Sequence, residues 1–388
     1  MYIERLDDYG RGITYVDNKI TFVYDALIGE EVEIKIVKNK KKYNEAIVTN
    51  YLKKSNNRCI PKCPYFNKCG GCNLLHMDYE SQLKFKINKV NNILKKFGNI
   101  DFKITKIEKT NNYFYRNKIT LHKLGYYSTN SNDVIKIDEC LIADSKINKI
   151  IKEIKELENI EETIIRCSKN SSMLVFKTNS FIDVKDIDVD NIVVDKDNYL
   201  KVLKGEEYIK EQLGDLEFII SPNSFFQVNT EGALKLYNKV LEFSELKKDE
   251  NVLDLFCGTG TIGIFLSRFC NSVIGIEINK LAVDDAIKNK KLNHIDNIDF
   301  ICDDASNVNV QNIDVVVVDP PRSGLNKKII NYLINIKAKK IVYVSCDPIT
   351  LARDLKELNN FYDIKNIELV DMFPNTYHVE CVCVLNLK

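Results

Sequence analysis

The sequence lacks any apolar run that approaches the roughly 20 residues needed to cross a membrane, and no low-complexity linker or internal repeat is evident. Its first residues, MYIER, begin with charge and do not open a signal-peptide pattern. These absences predict a cytoplasmic protein without a membrane partner, and nothing implies an oligomeric partner. The 388 residues, 45% hydrophobic and 29% charged, are typical of a globular protein with two or three domains.

The net charge of only +1 hides an uneven distribution along the chain. Residues 35–123 contain 21 Lys and Arg against 5 Asp and Glu, so this segment carries +16 and the rest of the chain carries −15. Tyrosines and phenylalanines are interspersed with these cations. Basic residues mixed with aromatics are typical of a nucleic-acid-binding surface. The alternative is a lysine-rich solvated surface without a partner.

Hydrophobic patterns divide the chain into three parts. Residues 1–54 contain short alternating runs separated by turn formers, which predicts a small β-barrel. Residues 55–205 hold a cysteine-rich segment, a helix near 79–97 and mixed strand and helix signals, which predicts an α+β domain. Residues 206–388 predict an α/β domain with a parallel sheet covered by helices on both faces. Its predicted strands are 251–256, 272–278, 298–302, 314–319, 340–346 and 379–387.

A G-x-G-x-x-G motif at 258–263 follows the first strand of the α/β domain, and Glu277 ends the second. Glycines let the backbone approach a ligand closely, and the carboxylate accepts hydrogen bonds from ribose hydroxyls. This spacing predicts adenosine binding but does not distinguish a nicotinamide or flavin dinucleotide from S-adenosylmethionine. Asp254 and Phe256 favour S-adenosylmethionine, because a sulfonium has no pyrophosphate and is bound by acids and aromatic faces.

Asp319 ends the fourth predicted strand and is followed by two prolines and Arg322. Rigid prolines shape the floor of a pocket, and Asp319 can accept hydrogen bonds from a substrate or cofactor. The alternative is a turn that simply ends the strand. Methylases of exocyclic amines usually have an aromatic residue after the prolines, so Arg322 favours a ring carbon as the methyl acceptor.

Cys346 ends the apolar run KKIVYVSC, at the carboxyl end of a strand where a doubly wound sheet opens its ligand crevice. This position beside the glycine loop favours a nucleophile over a packing residue. A thiolate added to C6 of uracil makes C5 nucleophilic, and a base must then remove the C5 proton. Glu380, near the start of the last predicted strand, is the candidate base because it complements this thiol. A glutamate considered alone is more often a surface residue there.

A group of cysteines precedes the predicted helix at 79–97. Cys63, Cys69 and Cys72 are close in sequence, with two glycines that allow tight wrapping around one centre. Cys140 is the leading candidate for a fourth ligand, and Cys59 is an additional thiol that could compete with it. All-thiolate ligation suits zinc or a [4Fe–4S] cluster, and the absence of paired CxxC spacing favours iron–sulfur. Twelve cysteines in such a chain indicate metal ligands or catalytic thiols before disulfides.

Six motifs occur in the order found in the RNA uracil-5-methyltransferase family, and together they span nearly the whole chain. They are CPYFNKCGGC at 63–72, SPNSFFQVN at 221–229, DLFCGTG at 254–260, DPPR at 319–322, SCDP at 345–348 and HVE at 378–380. The sequence therefore resembles this family. Residues 1–54 resemble its TRAM domain, an RNA-binding β-barrel. The cysteine motif is similar to the iron–sulfur site of members that modify ribosomal RNA.

The resemblance implies roles for individual residues. It makes Cys346 the nucleophile and Glu380 the base that removes the C5 proton. The implied S-adenosylmethionine-binding residues are Gln227, Phe256, Glu277, Asp319 and, on the adenine side, Asp304. The implied ligands of a [4Fe–4S] cluster are Cys63, Cys69, Cys72 and Cys140. Without the resemblance, Gln227 would be a loop residue with no assigned role.

We therefore expect a Rossmann-like, S-adenosylmethionine-dependent enzyme that methylates C5 of a uridine in structured RNA through a covalent Cys346 adduct. The barrel and the cysteine motif favour 23S ribosomal RNA over transfer RNA. Thr261 departs from the pattern, because several relatives carry asparagine near the cofactor there. Two alternatives from other classes are a non-catalytic iron–sulfur RNA-binding protein and a dinucleotide-dependent oxidoreductase. The second leaves the SCDP motif and the basic segment unexplained.

Overall fold

The structure is a computed structural model that describes residues 1–129, 131–179, 184, 187–196 and 199–388. The gaps all lie within the predicted central domain, 55–205. Strands of the described residues form four sheets, and helices cover the largest of them. Within the same residues, no helix has both the length and the apolar character of a membrane span.

The first sheet is a small barrel, as the alternating runs predict. Its strands pair in the order β1-β2-β3-β5-β4. Tyr2 and Glu31 form an antiparallel bridge that brings the end of this order back to its beginning. Small and branched apolar side chains such as Val23 and Ala46 fill the interior. The strands are β1 (Arg5–Leu6), β2 (Gly12–Val16), β3 (Lys19–Tyr24), β4 (Glu31–Asn39) and β5 (Asn44–Lys53).

The predicted helix near 79–97 is present as α1 (Tyr79–Ile93), which continues into a π-helical turn (Leu94–Gly98). It begins where the Asp78 carboxylate accepts a hydrogen bond from the Ser81 amide at 3.0 Å. Its apolar face packs with residues of the C-terminal sheet and its helices. The short strand β6 (Ile107–Glu108) joins the edge of that same sheet. This part of 55–205 therefore packs as an extension of the C-terminal unit.

A second, mixed sheet occupies the middle of the chain. Its strands pair in the order β13-β12-β11-β10-β7-β8-β9, and β11 and β12 are parallel. One face packs on α2, and the other faces the core of the C-terminal unit. The elements are β7 (Lys118–His122), β8 (Gly125–Tyr127), β9 (Val134–Lys136), α2 (Ser145–Ile154), β10 (Glu162–Cys167), β11 (Ser172–Lys177), β12 (Asn191–Lys196) and β13 (Tyr199–Lys204).

A hairpin and a helix lead into the C-terminal unit. They are β14 (Ile209–Leu213), β15 (Leu216–Ile220) and α3 (Thr230–Ser244). Alternating strands and helices then follow the predicted pattern. They are β16 (Asn251–Leu255), α4 (Thr261–Ser267), β17 (Ser272–Glu277), α5 (Lys280–Leu292), β18 (Ile298–Cys302), a 3₁₀ turn (Ala305–Asn307), β19 (Val315–Val318), α6 (Lys327–Ile336), β20 (Lys340–Ser345), α7 (Pro348–Leu358), β21 (Tyr362–Val370) and β22 (Glu380–Leu387).

The strand order of the C-terminal sheet is β18-β17-β16-β19-β20-β22-β21-β6. Strands β16 to β20 are parallel, and their apolar runs are buried under helices on both faces. Strand β22 is antiparallel and lies between β20 and β21. The doubly wound α/β class is confirmed. Because β22 runs in the opposite direction, its first residue lies at the edge where the parallel strands end.

Candidate active site

The carboxyl ends of the parallel strands bring together most of the predicted site residues. Phe256, Glu277 and Asp319 each lie at or just after the end of a strand, and Cys346 directly follows β20. Glu380 reaches the same edge from the other direction, as the first residue of β22. Because Ser345 pairs with Cys381 across these two strands, Cys346 and Glu380 occupy the next facing positions. Parallel strand ends are where open α/β sheets bind their ligands.

Three carboxyl groups lie at this edge, with Asp254 and Glu380 buried and Asp319 half-buried. Burial raises the pKa of Asp254 to about 8, and nearby Asp319 adds to the shift. Burial also raises the pKa of Asp319 to about 7. Burial, with a contribution from Asp319, raises the pKa of Glu380 to about 8. A cation bound among these groups would favour their ionised forms, so the edge is suited to a positively charged ligand.

The first strand and its glycine loop form an open cradle next to these acids. The Gly263 amide donates to Asp254 Oδ2 at 2.9 Å, whereas the buried Oδ1 has no partner among the described residues. Gly258 has a positive φ of 54°, and its amide donates to Glu277 Oε2 at 3.1 Å. A Cβ built on Gly258 would meet nothing within 4 Å. An unsatisfied acid and an open loop beside Glu277 are features that suit a bound adenosyl group.

The thiol of Cys346 lies in an environment that favours its neutral form. Burial raises its pKa to about 11, and the charges of Glu380 and Asp319 add to the shift. Arg322, the residue after the two prolines, acts in the opposite direction on the pKa values of both Cys346 and Glu380. The carboxylate of Asp347 caps the helix α7 that follows. Cys346 therefore stands between a strand and a capped helix, with a cation nearby.

Gln227 is buried in a loop that two serines attach to the C-terminal unit. Ser221 and Ser224 both donate hydrogen bonds to the carboxylate of Asp285 on α5, at 2.8 and 2.5 Å. The Asn117 side-chain amide donates to the Gln227 carbonyl at 3.2 Å. The glutamine is thus held between the middle sheet and the C-terminal sheet. Its side-chain amide can serve as a polar contact for a ligand at that junction.

Asp304 is an exposed residue that follows β18. Its carboxylate accepts from the Ser306 amide at 2.8 Å, and this bond holds the pKa of Asp304 below its ordinary value. Asp304 thus caps the 3₁₀ turn. The hydroxyl of Thr261 lies 3.0 Å from that of Tyr237. A buried tyrosine–threonine pair therefore occupies the position at which the resemblance implied an asparagine.

The four predicted cluster cysteines line one cavity of about 220 Å³. Cys63, Cys69 and Cys72 come from the loop before α1, and Cys140 comes from the segment before α2. The Gly71 amide donates to Cys69 Sγ at 3.4 Å. Of the residues that the structure describes, Cys59 is not among those lining the cavity, and its thiol donates to the Leu75 carbonyl at 3.4 Å.

These thiols are free, and burial raises the pKa values of Cys63, Cys69 and Cys72. In the part of the chain that the structure describes, no group of three or more His, Cys, Asp or Glu side chains is arranged as a metal site. The donors that the cavity brings together, four thiols, are nevertheless those that zinc or an iron–sulfur cluster would use. A cation there would favour the thiolate forms, which burial disfavours.

Several residues of the site were not identified from the sequence. The partners of the SPNSFFQVN loop, Asn117 and Asp285, are distant from it in sequence and have no local signature. The same holds for Tyr237, whose pKa is raised by burial and by the charges of Asp319, Asp254 and Glu380. The paired serines alone could have indicated a common acceptor. Identifying that acceptor required the tertiary arrangement.

Comparisons with known proteins identify the family of the chain. The family model described as tRNA (Uracil-5-)-methyltransferase matches residues 176–388, and the TRAM domain model matches residues 2–49. Two relatives named uncharacterized RNA methyltransferase, from Clostridium tetani and Halalkalibacterium halodurans, are 37% and 36% identical, covering 99% and 100% of this chain and 95% and 96% of theirs. Pyrococcus abyssi tRNA (uracil-54, C5)-methyltransferase in complex with S-adenosyl-L-homocysteine superimposes with a TM-score of 0.85 and 30% identity, covering 99% of both chains. The chain therefore belongs to the tRNA (uracil-5-)-methyltransferase family of S-adenosylmethionine-dependent RNA methyltransferases and contains a TRAM domain.

Proposed function

We propose that the protein methylates C5 of a uridine in RNA through a covalent adduct on Cys346. The observation that carries this proposal is the position of Cys346 and Glu380 at facing ends of β20 and β22, beside the glycine loop. A nucleophile and a base are both required, because uracil C5 is a poor nucleophile until a thiolate has added to C6. The alternative of a dinucleotide-dependent oxidoreductase gives neither residue a role.

The reaction begins from the Cys346 thiolate, which forms a bond to C6 of uracil and moves an electron pair toward C5. S-adenosylmethionine supplies the methyl group as an electrophile and leaves as the neutral thioether. Glu380 then takes the C5 proton as its carboxylate. The electron pair of that C–H bond restores the C5–C6 double bond, and the Cys346–C6 bond breaks to return the thiolate.

The reaction requires Glu380 as a carboxylate and Cys346 as a thiolate, and the acids at the strand ends affect the pKa values of both. The raised pKa of Glu380, about 8, keeps it largely protonated at neutral pH while no ligand is bound. A sulfonium bound among Asp254, Asp319 and Glu380 would favour the ionised carboxylates and the Cys346 thiolate together. The ligand that supplies the methyl group would thus lower the pKa values of both catalytic residues.

The residues that would hold S-adenosylmethionine are distributed around the strand ends. Glu277 would accept hydrogen bonds from the ribose hydroxyls, and Phe256 would present its ring to the ligand. Gln227 and Asp319 would provide further polar contacts to the ligand, and Asp304 would contact its adenine side. The unpartnered Asp254 Oδ1 and the open glycine loop support this assignment.

The RNA substrate must present an unstacked uridine, since C6 is shielded in a helix. We assign backbone binding to the basic segment 35–123 and to the TRAM barrel. The boundaries 1–54, 55–205 and 206–388 remain our proposed functional division. Within it, α1 of the middle part packs on the C-terminal unit.

We further propose a [4Fe–4S] cluster held by Cys63, Cys69, Cys72 and Cys140, with zinc as the competing occupant of the same thiols. The shared cavity and the amide directed at Cys69 support this assignment. The four ligands come from two separate segments, so the group would fix the loop before α1 to the segment before α2. Such a group would serve folding, RNA binding or redox sensing.

For the target we propose 23S ribosomal RNA, on the resemblance of the barrel and cysteine motif to members that modify it. Transfer RNA is the second candidate, and the name of the Pyrococcus abyssi relative favours it. The two candidates share the same chemistry and differ in the RNA fold that delivers the uridine.

The test is mass-spectrometric mapping of 5-methyluridine in total RNA from cells with and without the gene. We expect one or two ribosomal sites to lose the mark, and expression of the Cys346→Ala protein should fail to restore it. Loss of the mark only in transfer RNA would keep the chemistry and replace the substrate. An unchanged map at every uridine would overturn the proposal in favour of a non-catalytic iron–sulfur RNA-binding protein.

A further inference from the structure

A groove of about 610 Å³ lies between the barrel, the cysteine-rich loop and the loop that leads into β22. Tyr9 and Arg11 line the groove from the barrel, and Tyr377 lines it from the loop that leads into β22. Asn73 lines it from the cysteine-rich loop before α1. This volume is within the range of small-ligand pockets. We refer to it as the barrel groove.

The walls of the barrel groove offer flat surfaces to a ligand. The rings of Tyr9 and Tyr377 meet edge to face, with centroids 5.1 Å apart. The Arg11 guanidinium lies over Phe22 at 4.4 Å, over Tyr9 at 5.5 Å and over Tyr24 at 5.6 Å. Tyr9 remains 54% exposed in spite of these contacts. Aromatic rings and arginine planes are the side chains on which unstacked nucleobases stack.

The acids near the groove are already engaged. Asp7 forms an ion pair with Arg11 at 2.7 Å. Asp25, which lines the groove, accepts from Arg58 at 3.1 Å and from Asn67 at 2.9 Å. The wall is therefore close to neutral, and the paired Arg11 is better suited to stacking on a base than to binding a phosphate.

The groove is attached to the catalytic base by a well-bonded loop. The Asn375 carbonyl accepts from the Asn73 and Leu74 amides, both at 3.0 Å. Lys89 of α1 donates to the Tyr377 carbonyl at 3.0 Å. Tyr377 lies three residues before Glu380, and three residues span at most about 10 Å. A base in the groove would therefore lie close in space to a uridine at Glu380, at a distance that an adjacent unpaired nucleotide can span.

We propose that the barrel groove binds an unstacked nucleobase that flanks the target uridine. This inference rests on the proposed function and specifies its substrate class: an RNA loop in which the uridine and a neighbouring base are both unpaired. The TRAM barrel thereby contributes directly to target selection, through Tyr9 and Arg11.

The test uses binding alone, so that it does not depend on turnover. Cys346→Ala protein is titrated with a hairpin RNA whose seven-nucleotide loop is all uridine, and with versions that carry one abasic site at each loop position in turn. Adding Tyr9→Ala should weaken binding of the intact loop roughly five- to a hundredfold. Tyr9→Phe should bind nearly as well as the parent. Tyr2→Ala is the matched control, because Tyr2 is also 54% exposed on the barrel and is not among the described residues lining the groove.

At one abasic position the effect of Tyr9→Ala should disappear, because the base that Tyr9 contacts is already missing. An effect of Tyr9→Ala that persists at every abasic position, or that is equal for a fully paired duplex, would overturn the proposal. Unchanged binding of the intact loop would overturn it as well. The effect of Tyr9→Ala could disappear at one abasic position while the unmodified enzyme forms no 5-methyluridine. That result would refute the proposed function and leave the groove assignment standing.

Discussion

Many charged side chains are exposed in the basic segment 35–123, whereas burial suppresses ionisation at the edge of the C-terminal sheet that carries Asp254, Asp319 and Glu380. We call this edge the acidic edge. Residues 35–123 carry a net charge of +16, and lysines such as Lys41 and Lys42 are exposed. At the acidic edge, Asp254 and Glu380 are buried and Asp319 is half-buried, and burial raises the pKa values of all three. Exposed cations suit a polyanion such as RNA, which makes many weak contacts. Carboxyl groups whose ionisation is suppressed by burial suit one small cation, because its binding favours their ionised forms.

The comparison also shows that a charge count overstates the surface available to RNA. Arg58 forms ion pairs with Asp25 and Glu30, and Lys86 forms a fully buried ion pair with Asp371 at 2.5 Å. These cations connect the cysteine-rich loop and α1 to their neighbours. The two regions can therefore be tested separately, by changes that affect only one of them.

Removal of the proposed nucleophile should have the largest effect, and only at the acidic edge. Cys346→Ala should lower kcat by roughly 10³-fold or more, because in the proposed mechanism the thiolate activates C5. RNA affinity should stay close to that of the parent, because the basic segment is unchanged. Methyl transfer and RNA binding are measured in parallel, with Cys302→Ala, an exposed thiol on the same sheet, as the control. Substantial turnover by Cys346→Ala would exclude the adduct.

Glu380→Gln should separate the two halves of the reaction at the acidic edge. The thiolate can still add and the methyl group can still transfer, but the C5 proton remains, so kcat should fall roughly 10²- to 10⁴-fold. The methylated RNA should stay attached to Cys346 and survive denaturing electrophoresis. Release of free methylated RNA at the parent rate would refute the assignment of the base.

Salt should act on the basic region alone. With about three to five phosphate contacts, raising salt fourfold should weaken RNA binding by roughly twenty- to a hundredfold. The double variant Lys41→Gln/Lys42→Gln should reduce the slope of log affinity against log salt. Lys247→Gln/Lys248→Gln, a matched exposed pair in the C-terminal unit, should leave the slope unchanged. Equal slopes for all three proteins would remove the β4–β5 turn from the RNA interface.

A change of pH should affect the acidic edge alone, and its effect is the smallest of the four predicted effects. As pH rises from about 6 to about 9, carboxyl groups with pKa values of about 7 to 8 ionise, so affinity for a cation increases. S-adenosylmethionine should therefore gain roughly three- to tenfold in affinity relative to S-adenosylhomocysteine, which lacks the sulfonium charge. Calorimetric titration of both ligands measures the ratio. A ratio independent of pH would contradict the role of the buried acids.

The positions of Phe256, Glu277, Asp319 and Cys346 could be predicted because each lies at the end of an apolar run. Parallel strands bring such residues to one edge whatever their separation in sequence. The position of Glu380 beside Cys346 could not be derived in this way. It depends on β22 being antiparallel and lying between β20 and β21. Strand direction and order depend on tertiary packing, which local hydrophobic periodicity does not encode.

Contacts between segments distant in the chain also could not be predicted from the sequence. Spacing left Cys59 and Cys140 as competing partners of the cysteine motif, and only the fold places Cys140 at the shared cavity. Ser221 and Ser224 likewise gave no indication of Asp285, because that acceptor lies on a different helix. Side-chain partners of this kind follow from packing and not from local propensity.

The most direct test of the central claim is an attempt to trap the adduct on Cys346. The purified protein is incubated with S-adenosylmethionine and RNA in which 5-fluorouridine replaces uridine, so that Glu380 finds no C5 proton to remove. We predict a protein–RNA complex that survives denaturation, with the RNA located by mass spectrometry on the peptide that contains Cys346. Absence of a denaturant-stable complex, or its formation with equal yield by Cys346→Ala, would contradict the proposed mechanism.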